Sequence, residues 1–356
     1  MKSHTGLWER LVSFKNLLLA YKKARKAKPS SIEVLIFSMN LEKNLFALQE
    51  ELVLGTYKLS GYRSFTIFEP KRRTIKALPF KDRIVQHALC NLIEPIFDRT
   101  FINNSFACRK DRGTHKGLIS VKKVVQNKFT KNKYALKCDV RKYFPTIDHL
   151  ILKNILFKRI KDKQVCNLLS LIIDSDVSEF GVNKGIPIGN LTSQLFANIY
   201  LNELDKFVKH KLKVKYYYRY VDDFLIFSTS KKELHLFKTK IKRFLKIHLL
   251  LEIPKRKTNI YLIKDGVDFV GYKIFSSVVR LRKSNLTKFK KRIIYLSSLY
   301  LKNKITMNRL FGSINSYLGY TMHADAYEIT SKIISNFNFL FIAYGYNFFN
   351  KQPTLK

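Results

Sequence analysis

The chain has 356 residues, 46% of them hydrophobic, and carries 67 Lys and Arg against 26 Asp and Glu, a formal net charge of +41. That length and apolar content exclude a disordered basic tail and supply core for two or three subdomains. A field of this sign attracts polyanions and releases their counterions, so nucleic acid leads as the partner; an anionic membrane surface ranks second, and no run of about eighteen apolar residues is present to span a bilayer.

Leu7, Leu11, Phe14, Leu18 and Tyr21 recur at spacings of three and four and predict a helix over 7–27. A basic run from Lys22 to Lys28 follows, closed by Pro29. Ser30 or Ser31 is placed to cap a second helix bearing Leu35, Met39, Leu41, Leu45, Leu48 and Leu52, ended by Gly55. From Tyr62 to Phe68 the pattern alternates as a strand does. Glu69 to Arg73 reads as a turn and Thr74 to Leu78 as the return strand. This hairpin gathers Lys71, Arg72 and Arg73, cations suited to gripping a triphosphate. A helix over 81–97 follows, then a polar, basic loop from Ser105 to His115 and a helix over 116–128.

Tyr134 to Val140 reads as a buried strand ending in an acid, Asp139. An acid there is costly unless it is paired or bound to a cation. Pro145 breaks the chain, and 147–157 is helical. Gly181, Gly185, Pro187 and Gly189 crowd one short stretch, and a long apolar helix opens from Asn190. Such a turn lets backbone approach a phosphate or a base.

Tyr216 to Phe227 is aromatic and aliphatic except at its centre, where Asp222 and Asp223 are adjacent. Side chains alternate along a strand, so the two acids cannot share a face on regular strand. A hairpin with the pair at its turn presents both to one divalent cation. Solvated turn chemistry is the commoner meaning of an Asp pair, and the rest of the chain decides. A basic amphipathic helix over 231–249 comes next, then a turn over 253–259 and strands over 260–263 and 269–274. A basic helical region begins at Ser284. Cys90, Cys108, Cys138 and Cys166 lack metal-site spacing and read as small buried hydrophobes in a reducing compartment.

These pieces converge. One strand carries Asp139, a later hairpin carries Asp222 and Asp223, and a Gly-turn-helix lies between them. Three carboxylates on adjacent strands can hold two Mg²⁺ ions, the arrangement used for in-line phosphoryl transfer.

The runs Lys137 to Phe144, Gly185 to Gln194, Tyr220 to Asp223 and Phe269 to Tyr272 together resemble the palm motifs of reverse transcriptases, over about 62–274. Within that superfamily the chain is most similar to the reverse transcriptases of diversity-generating retroelements. Ile188 precedes Gly189, and Ser193 and Gln194 close the motif. Group II intron and retroviral enzymes usually carry Gln before the Gly, and Ser-Pro at the end.

The resemblance implies an α+β right-hand polymerase: an N-terminal helical extension over 1–61, fingers and palm over 62–280 and a short helical thumb over 281–356. It implies RNA-directed DNA polymerisation by two-metal nucleotidyl transfer with two Mg²⁺ ions, for which Mn²⁺ can substitute. Asp139, Asp222 and Asp223 become the metal ligands, with Val140 beside them among the metal and substrate positions. Phe144 becomes the gate that excludes a 2′-hydroxyl. Arg73, and more weakly Lys71, grip the incoming triphosphate. Lys257 becomes the general acid for pyrophosphate. Ile188, Gly189 and Gln194 belong to the substrate-binding set, and Phe269, Val270, Gly271 and Tyr272 to the primer grip.

The implied partners are a template RNA of the same element, the RNA/cDNA duplex, dNTPs and a small basic helical accessory variability protein that oligomerises. No membrane partner is expected; the implied setting is the cytoplasm, with a bacterial or phage gene. Ile188 supplies bulk without a hydrogen bond, and the family implication is error-prone copying at template adenines that diversifies a target gene. A group II intron or retron-type enzyme is the first alternative. Residues 188 and 194 and the short stretch after the primer grip argue against the intron type; a retron type fits the fingers motif less well. A non-catalytic, maturase-like RNA-binding protein is the second, and the three intact acids argue against it.

Overall fold

The computed structural model describes residues 3–26, 28–68, 72–127, 132–176 and 178–335. Two helices, α1 (Trp8–Val12) and α2 (Phe14–Arg25), stand where a single helix is expected over 7–27. Ser13 leaves the helical region at ψ 137, and its hydroxyl accepts from the Asn16 N–H at 3.3 Å. A cap therefore interrupts an apolar period that continues on both sides. The second expected helix divides in the same way at Asn40 (φ −123, ψ 51) into α3 (Ile32–Met39) and α4 (Leu41–Val53). Ser31 precedes α3 as expected but makes no side-chain cap bond.

Strands β1 (Arg63–Ile67) and β2 (Arg73–Ala77) form the expected antiparallel hairpin, with Ile67 opposite Arg73. Lys71 lies outside the described residues. Helices α5 (Phe80–Asp98) and α6 (Thr114–Gln126) follow, then β3 (Tyr134–Asp139), α7 (Tyr143–Thr146) and α8 (His149–Phe157). Helix α9 (Lys163–Ile173) has no counterpart in the sequence reading. It buries Val165, Leu168, Leu169, Ile172 and Ile173 and is capped by Asp162, which also accepts from the Leu7 and Trp8 amides.

Helix α10 (Leu191–Lys206), strands β4 (Tyr216–Tyr220) and β5 (Asp223–Ser228), and helix α11 (Lys231–His248) complete the central run. Strand β6 (Thr258–Leu262) follows a short 3₁₀ turn, Lys255–Lys257. The single strand expected over 269–274 is instead a tight hairpin, β7 (Val267–Phe269) and β8 (Tyr272–Ile274), with Phe269 opposite Tyr272. Val270 (φ 43) and Gly271 (φ 93) form its turn, since two positive φ values match the twist of a hairpin. Strand β9 (Val279–Leu281) adds to β8, and helices α12 (Lys283–Leu301), α13 (Met307–Thr321) and α14 (Tyr327–Ser335) follow.

The chain forms two compact units. One joins Met1–Gly113 to Leu136–Ile260; the other joins Thr114–Ala135 to the chain from Tyr261 onward. In the first, a four-stranded sheet has the order β4-β5-β3-β6. Helix α10 is buried along most of its length, so Thr192, Ser193, Asn198, Asn202 and Asp205 are interior as well as its apolar residues. In the second, the sheet β7-β8-β9 contacts α6, and α12, α13 and α14 close over Phe289, Ile293, Leu310, Ile314 and Ile334.

All four cysteines are free. Cys90 and Cys138 are buried as expected, but Cys108 is exposed on a loop. Among the described residues no helix is long and apolar enough to cross a membrane.

Candidate active site

The site is organised by the β4–β5 hairpin. Tyr220 pairs with Asp223, so Val221 and Asp222 make a two-residue turn and Asp223 opens β5. Val221 takes φ 53, a left-handed conformation uncommon for a β-branched residue. Strand β3 is the neighbour of β5, and it ends at Asp139. The Val140 N–H then donates to the Asp222 carbonyl at 3.3 Å. One strand end and one turn are thereby stitched together, and all three acids stand at the same end of the sheet.

The electrostatics agree. Burial raises the Asp222 carboxyl above its usual range, and the charge of Asp139 raises it further; Lys257 and Arg73 pull it back. Burial pushes the Asp223 carboxyl up to about 7, against the opposing Lys137 ammonium and with added repulsion from Asp139 and Asp222. Mutual repulsion of this kind marks carboxylates packed together without enough positive charge.

Two lysines supply part of that charge. Lys257, on the 3₁₀ turn before β6, forms an ion pair with Asp139 Oδ1. Lys137 Nζ lies 3.3 Å from Asp223 Oδ2. Lys137 sits two residues before Asp139 on β3, so the strand period puts both on one face. Among the described residues no three His, Cys, Asp or Glu side chains already stand in ligating geometry; ammonium groups hold Asp139 and Asp223 instead. Asp223 Oδ1 is nevertheless buried with no hydrogen-bond partner among the described residues. An orphaned carboxylate oxygen beside two further acids fits a hard divalent cation, which takes oxygen ligands.

The Gly-rich turn is built against β2. The Lys76 N–H donates to the Ile188 carbonyl at 2.9 Å. A Cβ on Gly189, at φ 132, would stand 2.6 Å from the Lys76 carbonyl oxygen. Glycine is required there by a passing backbone and not only by φ. Lys76 is further held by an ion pair with the buried Asp176. Ile188 is half-buried, and Gln194 is exposed in the first turn of α10. Asn190, just before α10, gives its side-chain amide to the Tyr62 hydroxyl at 3.0 Å and not to its own helix.

Phe144 lies on α7, half-buried, with its ring edge-on to Tyr143 at 5.8 Å. Its carbonyl accepts from the Ile186 N–H at 3.1 Å, which ties α7 to the same Gly-rich stretch. Arg73, the first residue of β2, is exposed, and its charge acts on Asp222.

Phe269, Val270, Gly271 and Tyr272 belong to the second unit. Phe269 and Tyr272 are fully buried. The Tyr320 hydroxyl donates to the Gly271 carbonyl at 2.6 Å, and the Tyr272 hydroxyl donates to the Tyr320 carbonyl at 2.8 Å. A Cβ on Gly271 would meet the Tyr320 oxygen at 2.7 Å.

Sequence reasoning passes over Lys137 as an actor, although its spacing from Asp139 carries the signal. It also passes over Arg219 and Asp205, because a charged residue within an aromatic strand or near the end of an apolar helix gives no cue to its burial.

Residues 68–274 match the family model described as reverse transcriptase (RNA-dependent DNA polymerase). The chain is 25% identical over 305 residues to Protein YkfC of Escherichia coli K12, across 75% of this chain and 80% of that one. It is 25% identical over 316 residues to the group II intron-encoded protein LtrA of Lactococcus lactis subsp. cremoris, across 69% and 51%. It is 24% identical over 339 residues to the putative COX1/OXI3 intron 2 protein of Saccharomyces cerevisiae, across 76% and 39%. The chain thus spans about half or less of these two intron-encoded relatives.

Proposed function

This chain belongs to the reverse transcriptase (RNA-dependent DNA polymerase) family, and we propose that it copies an RNA template into cDNA at the site formed by Asp139, Asp222 and Asp223. The observation that carries this reading is the bond from the Val140 amide to the Asp222 carbonyl, which brings the acid of β3 to the acids of the hairpin.

A pair of divalent cations, Mg²⁺ or Mn²⁺, would when bound activate the primer 3′-hydroxyl and neutralise the leaving pyrophosphate. Asp139, Asp222 and Asp223 would hold them, with Val140 at the adjoining backbone. Asp223 Oδ1 is free to do so, and Lys137 and Lys257 balance the surplus charge until then. Lys257 is also the proton donor to pyrophosphate, since an ammonium paired with Asp139 is held at the site. Arg73 grips the incoming triphosphate, a role supported by its influence on Asp222. Phe144 excludes the 2′-hydroxyl of a ribonucleotide by bulk. Ile188 and Gly189 bound the nascent base pair, with Gln194 beside them. Phe269, Val270, Gly271 and Tyr272 steady the primer, which suits a turn anchored by Tyr320.

The finer reading is a right-hand polymerase of a diversity-generating retroelement, with the extension, fingers and palm, and thumb divided at about 61 and 280. Its partners would be template RNA of its own element, the RNA/cDNA duplex, dNTPs and a small basic accessory protein. Ile188 favours this reading. The likeness to intron-encoded proteins favours a group II intron-type enzyme as the second reading. Sequencing cDNA copied from a defined RNA separates them. Errors concentrated at template adenines, and reduced in Ile188→Gln, support the retroelement reading. Evenly distributed errors unchanged by Ile188→Gln would overturn it.

A further inference from the structure

A buried charge network stands behind the hairpin turn, and none of the roles above uses it. Arg219 on β4 and Asp205 on α10 are both fully buried. Arg219 Nε and Nη2 donate to Asp205 Oδ1 and Oδ2 at 2.7 and 2.6 Å. The Tyr217 hydroxyl donates to Asp205 Oδ1 at 2.7 Å. The remaining guanidinium nitrogen, Nη1, donates to Asn198 Oδ1 at 3.2 Å and to the Val221 carbonyl at 3.0 Å.

A buried ion pair gains little stability over apolar residues of the same size, so stability alone is a poor reason for it. Its reach to Val221 supplies another. Val221 is held at φ 53, which surrounding structure must enforce on a β-branched residue. The turn has two carbonyls to aim. That of Asp222 is held by the Val140 amide, and that of Val221 by Arg219. The anchor is itself fixed. The Arg219 N–H donates to the Asn104 carbonyl at 2.9 Å, its carbonyl accepts from the Phe106 N–H at 3.1 Å, and Asn198 Nδ2 donates to the Ala107 carbonyl at 2.8 Å.

We infer that Arg219, braced by Asp205, is a positioning residue that sets the direction of the Val221–Asp222 turn and so the affinity of the site for its cations. The inference rests on the reading of Asp139, Asp222 and Asp223 as metal ligands. Arg219→Lys keeps a cation beside Asp205 but loses the planar fork that serves two partners at once. Asp205→Asn with Arg219→Gln removes both buried charges together, so it avoids leaving either one unpaired.

The test is a Mn²⁺ titration of the full-length protein followed by electron paramagnetic resonance, with thermal unfolding of each variant. Arg219→Lys and the double variant should each bind Mn²⁺ about ten-fold more weakly, the loss usual for groups that orient metal ligands. Their unfolding temperatures should stay within a few degrees of wild type. A lowered unfolding temperature with unchanged Mn²⁺ affinity would overturn the inference, because it marks a purely structural role. Asp222→Asn is the control. If it loses Mn²⁺ while the Arg219 variants retain full affinity, the positioning role alone fails. If it binds as wild type does, the metal reading fails and the inference with it.

Discussion

Lys257 and Asp139 are joined by an ion pair at the mouth of the acid cluster, on a lysine whose side chain keeps 42% of its exposure. The pair has two consequences of opposite sign. The ammonium would compete with an incoming cation for Asp139, and it is the proposed proton donor to pyrophosphate. Lys257→Ala should therefore bind Mn²⁺ more tightly, by up to about five-fold, the worth of a partly exposed pair. The same change should lower the turnover number by about 10² or more, the usual contribution of a positioned general acid. Metal titration and single-turnover extension measure the two separately. A drop in both would remove the proposed competition, and an unchanged turnover would remove the proton-donor role.

Asp223 gives the site a pH signature. Its carboxyl titrates near 7 in the folded protein against 3.8 ordinarily. Between those values the folded state holds a proton that the unfolded state has released. Stability from this group is therefore present below about pH 4 and is lost as the pH rises through 7. The ceiling is about 4 kcal/mol, reduced by solvent because the side chain keeps 25% of its exposure. In metal-free buffer, wild-type stability should fall across this window more steeply than that of Asp223→Asn. Added Mg²⁺ should stabilise wild type more at pH 8 than at pH 6. Parallel curves for the two proteins would contradict the assignment.

Gly189 is constrained twice, by φ 132 and by the Lys76 carbonyl 2.6 Å from where a Cβ would lie. The Lys76 carbonyl is backbone and not the end of a flexible chain, so β2 must shift. Gly189→Ala should cost about 1–3 kcal/mol in thermal unfolding and raise KM for dNTP, because the Ile188 carbonyl would lose its bond from Lys76. Unchanged stability and KM would show that β2 moves freely past the turn.

The hairpin turn at Asp222 was legible because side chains alternate along a strand, but the acid pair alone more often marks a solvated turn, and only Asp139 and the Gly-rich turn beside it point to a site. The strand ending at Asp139 was legible from its apolar run closed by a single acid. Helix breaks at Ser13 and Asn40 were not, since the apolar period runs through them and only a side-chain or backbone cap marks the division. Val270 and Gly271 escaped notice as a turn because aromatic and aliphatic residues flank them on both sides. Arg219 was the least legible residue of all. Composition treats an arginine in a basic chain as a surface cation, whereas here two side-chain partners, Asp205 and Asn198, and the Val221 carbonyl hold it at zero exposure.

On the proposed reading Asp139, Asp222 and Asp223 act as a single catalytic unit. Extension of oligo(dT) on poly(rA) with Mg²⁺, comparing wild type with Asp222→Asn and Asp139→Asn, tests it most directly. Each variant should lose at least about 10²-fold in rate while unfolding at a temperature close to that of wild type. Extension at the wild-type rate by either variant would contradict the claim.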